Sequence, residues 1–113
     1  MSKFEEALTL YMSEFEKIGV KNVDANLLRA VTKACGPTIY RADAAKVAAS
    51  DQEELNRVRT NFLINKLGLP DNAKLDEGIS TVINILGSDN RNKYRAMFYY
   101  LLVKHFKKES QFA

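Results

Sequence analysis

Apolar residues recur at helical spacing along nearly the whole chain. Phe4, Leu8, Tyr11, Met12, Phe15 and Ile18 fall on one face of a first helix. Ser2, with Glu5 three residues on, is the capping-box pair that starts it, and Gly19 stands where a helix stop belongs. Asp24 offers the next N-cap, and Leu27, Leu28, Val31 and Cys35 form the face of a second helix that Gly36-Pro37 ends. Thr38 to Ala49 is the least periodic stretch. Asp43 is placed to cap a single short turn there, with Ile39, Tyr40 and Val47 anchoring the connection. Ser50 and Glu53 form a second capping box, followed by Leu55, Val58 and Phe62 facing inward, then Leu63 and Leu67, then the stop signals Gly68 and Pro70. Asp71 caps a fourth helix with Leu75, Ile79, Val82, Ile83 and Leu86, which Gly87 closes. Ser88, Asp89 and Asn90 offer the N-cap of a last helix running to Lys108.

Short connections and the lack of an alternating strand pattern predict an all-α fold: a compact bundle of five to six short helices in a single domain over residues 1–113. The last helix stands apart. Tyr94, Phe98, Leu101 and Leu102 share a face with His105, flanked by Met97 and Phe106, and Tyr99 and Val103 carry the apolar surface further round. Only a narrow strip with Lys93, Tyr100, Lys104 and Lys107 is left polar. A helix apolar over most of its circumference is buried on several sides, so the bundle is expected to wrap around it. The same surface is the one a homodimer seam would use. His105 reads as a buried structural histidine, since a catalytic base needs an orienting partner that the sequence does not nominate.

Composition removes chemistries. Hydrophobic residues make up 46% and charged residues 27%, the balance of a soluble globular protein. One Cys and one His exclude an internal disulfide and a zinc site, and Cys35 lies on an apolar stripe where a free thiol is usually a small core residue. Unpaired cysteine suits a reducing, cytoplasmic compartment. Met1-Ser2-Lys3-Phe4-Glu5-Glu6 has no leader pattern, and Ser110-Gln111-Phe112-Ala113 carries no lipidation signal. The longest apolar run, Ala96 to Val103, is far short of the roughly 20 residues a membrane span needs. Nucleotide-loop, zinc-protease and nucleophile-elbow motifs are all missing, so no catalytic residue, metal or cofactor is assigned and an enzyme is not expected.

Charge sharpens the picture. The net +3 is uneven: Asn90 to Ala113 holds six Lys or Arg and one Glu, so it carries +5 and the rest sums to −2. Lys104, Lys107 and Lys108 suit the negative end of a helix dipole. Arg91, Lys93 and Arg95 crowd the positive end, where cations are unfavourable and need an offset. Either Asp89 or more distant acids pair with them, or an external anion does. The second case gives a candidate anion site of Arg91, Asn92, Lys93 and Arg95, joined by Tyr40 and Arg41. The expected function is thus a non-enzymatic binding or protein-interaction module. The alternative is nucleic-acid or phosphoanion binding through the basic start of the last helix. Nucleic acid has the weaker support, because Glu53, Glu54, Asp71, Asp76 and Glu77 make other surfaces acidic and no known nucleic-acid motif is present.

Several segments carry a family resemblance: Leu28 to Lys33, Gly36 to Tyr40, Val47 to Asp51, Asn61 to Leu63, Lys66 to Leu69 and, above all, Asn90 to Phe106. With these the chain resembles the DUF2853 family of small, all-helical bacterial proteins of unknown function. The resemblance implies a helical protein of the bacterial cytoplasm and brings no cofactor, substrate or functional residue with it.

Overall fold

Local signals set the first two helices. In a computed structural model describing residues 2–112, α1 spans Lys3–Lys17 and α2 spans Ala25–Cys35. Met1 and Ala113, which belong to the two ends read above, lie outside the described residues. The Ser2 hydroxyl accepts the Glu5 N–H at 3.1 Å, and the Asp24 carboxylate accepts that of Leu27 at 3.1 Å. Each thereby satisfies an orphan donor of the first turn. α1 buries Leu8, Tyr11 and Phe15, and α2 buries Leu27, Leu28 and Val31.

Beyond α2 the chain departs from the expected pattern. Gly36, at φ +67°, ends the α-helix, but Pro37 leads into a 3-10 helix, Gly36–Tyr40. Proline's fixed φ and missing N–H suit such a first turn. Ile39 and Val47 are buried as expected, whereas Tyr40 is 49% exposed. Asp43 caps no helix and stands exposed, 4.0 Å from Arg41 Nε.

α3 spans Gln52–Arg57, and its N-cap is Asp51, not Ser50. It runs on directly as a π-helix, Val58–Lys66, whose widened winding is seen in the Leu67 N–H to Phe62 carbonyl bond of 2.9 Å. Apolar spacing does not distinguish this from an α-helix. α4 spans Ala73–Leu86. Asn72 caps it in place of Asp71, because Arg59 holds the Asp71 carboxylate at 2.5 Å.

α5 spans Arg95–His105 and begins five residues after Asn90. The delay has a cause in distant backbone. Val47 N–H donates to the Lys93 carbonyl and Arg95 N–H to that of Ala45, both at 2.8 Å, forming an antiparallel bridge at Lys46 and Tyr94. That pairing draws residues 92–94 out of helical geometry. Arg91, Asn92 and Lys93 therefore precede the helix instead of forming its first turn. A 3-10 turn, Glu109–Phe112, follows α5.

The described residues thus form an all-α bundle around α5. Ala96, Met97, Phe98, Leu101, Leu102 and Val103 are buried, and α1, α2 and α4 pack on them. Two residues of α5 differ from expectation. Tyr100 is 2% exposed, because its hydroxyl accepts the Asp24 N–H at 2.9 Å and ties α5 to the start of α2. His105 is exposed, because the last turn of α5 runs past the core; its ring meets Phe106 edge-on at 4.8 Å.

Candidate functional site

A cleft of about 410 Å³ opens between α2, α3, the π-helix and α5. Its centre is Arg95. The Arg95 backbone is pinned to Ala45, and its guanidinium makes three bonds: Nε to the Ala44 carbonyl at 2.8 Å, one terminal nitrogen to the Tyr99 hydroxyl at 3.0 Å, the other to a Glu54 oxygen at 2.5 Å. Glu54 is in the first turn of α3, where a capping box would turn its carboxylate back on the backbone. Here both oxygens serve arginines instead: Arg57 takes the second through Nε at 3.1 Å and a terminal nitrogen at 2.9 Å. The side chains of Arg95 and Glu54 are only 15% and 11% exposed, so this pair is largely shielded from water. Glu54 is the offset that a cation at the start of α5 requires.

Tyr99 is clamped. Phe62 stacks on its ring at 3.9 Å between centroids and 13° between planes, and the Arg95 guanidinium lies 5.7 Å from the ring centre. Burial pushes the Tyr99 phenol pKa up, with Arg95 opposing, so the hydroxyl keeps its proton at neutral pH. Its oxygen accepts from Arg95, which leaves the O–H as a donor. Ala34, Cys35 and Thr38 line the α2 side, where the Thr38 hydroxyl donates to the Cys35 carbonyl at 2.8 Å. Burial pushes the Cys35 thiol up to about 11, partly opposed by the charge of Arg95. A protonated thiol at neutral pH is a poor nucleophile.

The π-helix supplies Asn61, Phe62 and Lys66. Its i to i+5 winding is the local geometry from which all three reach the cleft. Among the described residues Lys66 has no ion-pair partner. No three His, Cys, Asp or Glu side chains stand together as metal ligands among the described residues.

Residues 10–110 match the family described as Protein of unknown function (DUF2853). The chain belongs to this family. No curated protein matches it.

In this DUF2853 chain the six residues read as an anion site are dispersed in role. Arg95 enters the cleft. Lys93 is 4% exposed, and its ammonium donates to the Ser88 carbonyl at 3.2 Å and the Asn90 carbonyl at 2.5 Å, closing the loop after α4. Burial lowers the Lys93 pKa, with Asp89 opposing. The Asn92 side chain accepts from Lys46 at 2.8 Å. Arg91 is exposed and lines, with Lys93 and Asp89, a separate hollow of about 730 Å³. Tyr40 and Arg41 are exposed on the connection before Ala44. Sequence reasoning missed Glu54, Arg57, Lys66, Tyr99 and the cleft role of Cys35. The only signal toward them was the unbalanced cation at Arg95.

Proposed function

We propose that the chain is a non-enzymatic binding module of the cytoplasm, with the Arg95 cleft as its ligand seat. One observation carries this: the cleft wall is fixed before any ligand arrives. Tyr99 is held by Phe62 on its ring and Arg95 on its hydroxyl, and Arg95 by Glu54 and the Ala44 carbonyl. A wall already ordered spends little entropy on binding. The volume falls within the range of small-molecule sites. Catalysis fits the site less well, since the Cys35 thiol is held protonated and His105 lies about 15 Å along α5 from Arg95, too far to activate it.

The alternative at the basic start of α5 has less to work with. Of the cations read for it, Lys93 and Arg95 are engaged inside the fold, which leaves Arg41 and Arg91. A homodimer seam on α5 is likewise disfavoured, because its apolar surface is covered within the chain. The test is a fragment screen on isotope-labelled full chain, read by amide shifts. Fragments that move Cys35, Asn61, Phe62 and Tyr99 together are expected. A screen whose hits never touch those residues overturns the reading.

A further inference from the structure

The hydrogen-bonding groups left over in the cleft are mostly donors, and its charge is positive. Three cations line it, Arg57, Lys66 and Arg95, against the single carboxylate of Glu54. That carboxylate is already committed through both oxygens, one to Arg95 and one to Arg57. Glu54 cancels one unit of charge and leaves two.

The remaining groups set what can enter. Tyr99 keeps a free O–H, because its oxygen is the acceptor for Arg95. Arg57 uses Nε and one terminal nitrogen on Glu54, so its other terminal nitrogen is unspent, and its side chain is 57% exposed at the cleft mouth. Lys66 and Asn61, both on the π-helix, line the same cleft. The acceptors on offer are the Thr38 hydroxyl oxygen and the Asn61 carbonyl oxygen. A ligand cation would meet three like charges and a carboxylate whose two oxygens each already accept from an arginine. A ligand oxyanion would meet a phenol, a guanidinium edge and an ammonium, the charge-assisted donors that bind carboxylate and phosphate. Phe62 covers one face of the Tyr99 ring and the Arg95 guanidinium holds its hydroxyl edge, so the apolar wall left for a ligand's body is the Cys35 and Ala34 side.

We infer that the cleft takes a small organic oxyanion, a carboxylate or phosphate monoester, with its charged end on Arg57, Lys66 and the Tyr99 hydroxyl and its apolar end toward Cys35. This rests on the reading of the cleft as a ligand seat and names the ligand class.

Three probes of equal body separate the possibilities: phenyl phosphate, benzoate and benzylamine, each titrated into the labelled full chain. At least one anion is expected to shift the amides of Cys35, Asn61 and Tyr99, with an affinity that falls as NaCl is raised. Whichever anion binds more tightly identifies the headgroup. Benzylamine is expected to leave those amides unmoved. The Lys66→Gln variant should weaken anion binding several-fold, and adding Arg57→Gln should take the loss past tenfold, whereas Lys74→Gln on α4 should leave it unchanged. Lys66 is exposed and unpaired among the described residues, so its single variant keeps the test valid if the double variant is poorly folded. Benzylamine binding in the cleft as tightly as the anions overturns the inference while the ligand seat stands. Failure of both anions to move cleft amides also overturns it, and the fragment screen decides separately whether the cleft binds anything.

Discussion

Gly78 is where α4 comes closest to the end of α5. A Cβ built on it would clash with the Phe106 ring and stand 3.0 Å from His105 Cδ2, so a rigid aromatic ring would have to move. Alanine gains about 1 kcal/mol over glycine within a helix, but overpacking costs about 1–3 kcal/mol. Gly78→Ala should therefore be destabilising by urea unfolding, and in a Phe106→Ala background the sign should reverse; destabilisation in both backgrounds would show that the ring is not the obstacle. Cys35 gives a second test, through pH. Its thiol pKa rises from 9.0 to about 11 in the fold, so between those values the folded chain holds a proton that the unfolded chain has lost. Stability falls as pH rises through that window. Tyr11, pushed by burial from 10.0 to about 12, adds a loss of the same sign at higher pH. Between pH 8 and 10.5 the wild type should lose about 1–2 kcal/mol more than Cys35→Ala. Equal losses would mean that the thiol is not shielded as described.

At the scale of elements, α1 and α5 end in the same way with different residues. After α1, Gly19 N–H bonds to the Glu16 carbonyl and Val20 N–H to that of Phe15, with Gly19 at φ +80°. After α5, Lys107 N–H bonds to Lys104 and Lys108 N–H to Val103, with Lys107 at φ +57°. Both are Schellman ends, and the left-handed residue in the second carries a Cβ. Lys107→Gly should raise stability by about 0.5–1 kcal/mol, and Gly19→Ala should lower it by a similar amount, both measured as the urea midpoint. Element ends also mark how far the sequence could be read. Ser2 and Asp24 cap where expected, because each is the local choice with no rival. Ser50-Asp51 and Asp71-Asn72 each place two good caps side by side. For the second pair a distant arginine decides, since Arg59 takes Asp71 and leaves Asn72 to cap. The start of α5 is displaced by backbone bonds to residues 45 and 47, some fifty positions away in the chain. The π-helix escapes notice because Val58 and Phe62 sit at a spacing that serves either winding. The cleft was legible at one point only, the unpaired charge of Arg95. Apart from Tyr99, one turn further along α5, its other walls come from residues 34 to 66, which no local pattern connects to it.

For the whole molecule, an apolar last helix leaves two ways to hide its surface: the rest of the chain or a second copy. The first is the one realised. Seven of the eleven residues of α5 are buried with one chain present. What remains outside is sparse. Among the described residues the large exposed hydrophobics are Leu10 and Met12 on α1, Tyr40 after α2 and Ile85 on α4, scattered over three elements. A stable dimer buries about 800 Å² on each partner, roughly an eighth of the 6683 Å² accessible here. Four side chains spread over three elements do not supply an apolar core for such a patch. The Cα radius of gyration, 13.1 Å, is also what one well-packed chain of this length should have, about 13 Å. Light scattering coupled to size exclusion should therefore return the 12.8 kDa of a single chain at every concentration loaded. A mass that doubles with concentration would contradict this. Restoration of the single-chain mass by Leu10→Lys with Met12→Lys would then place the seam on α1 and leave α5 as the interior of each copy. A doubled mass that resists those changes but yields to Ile85→Lys would place it on α4. In both cases the Arg95 cleft, whose walls come from α2, α3, the π-helix and α5, would keep its ligand response, since none of those residues lines it.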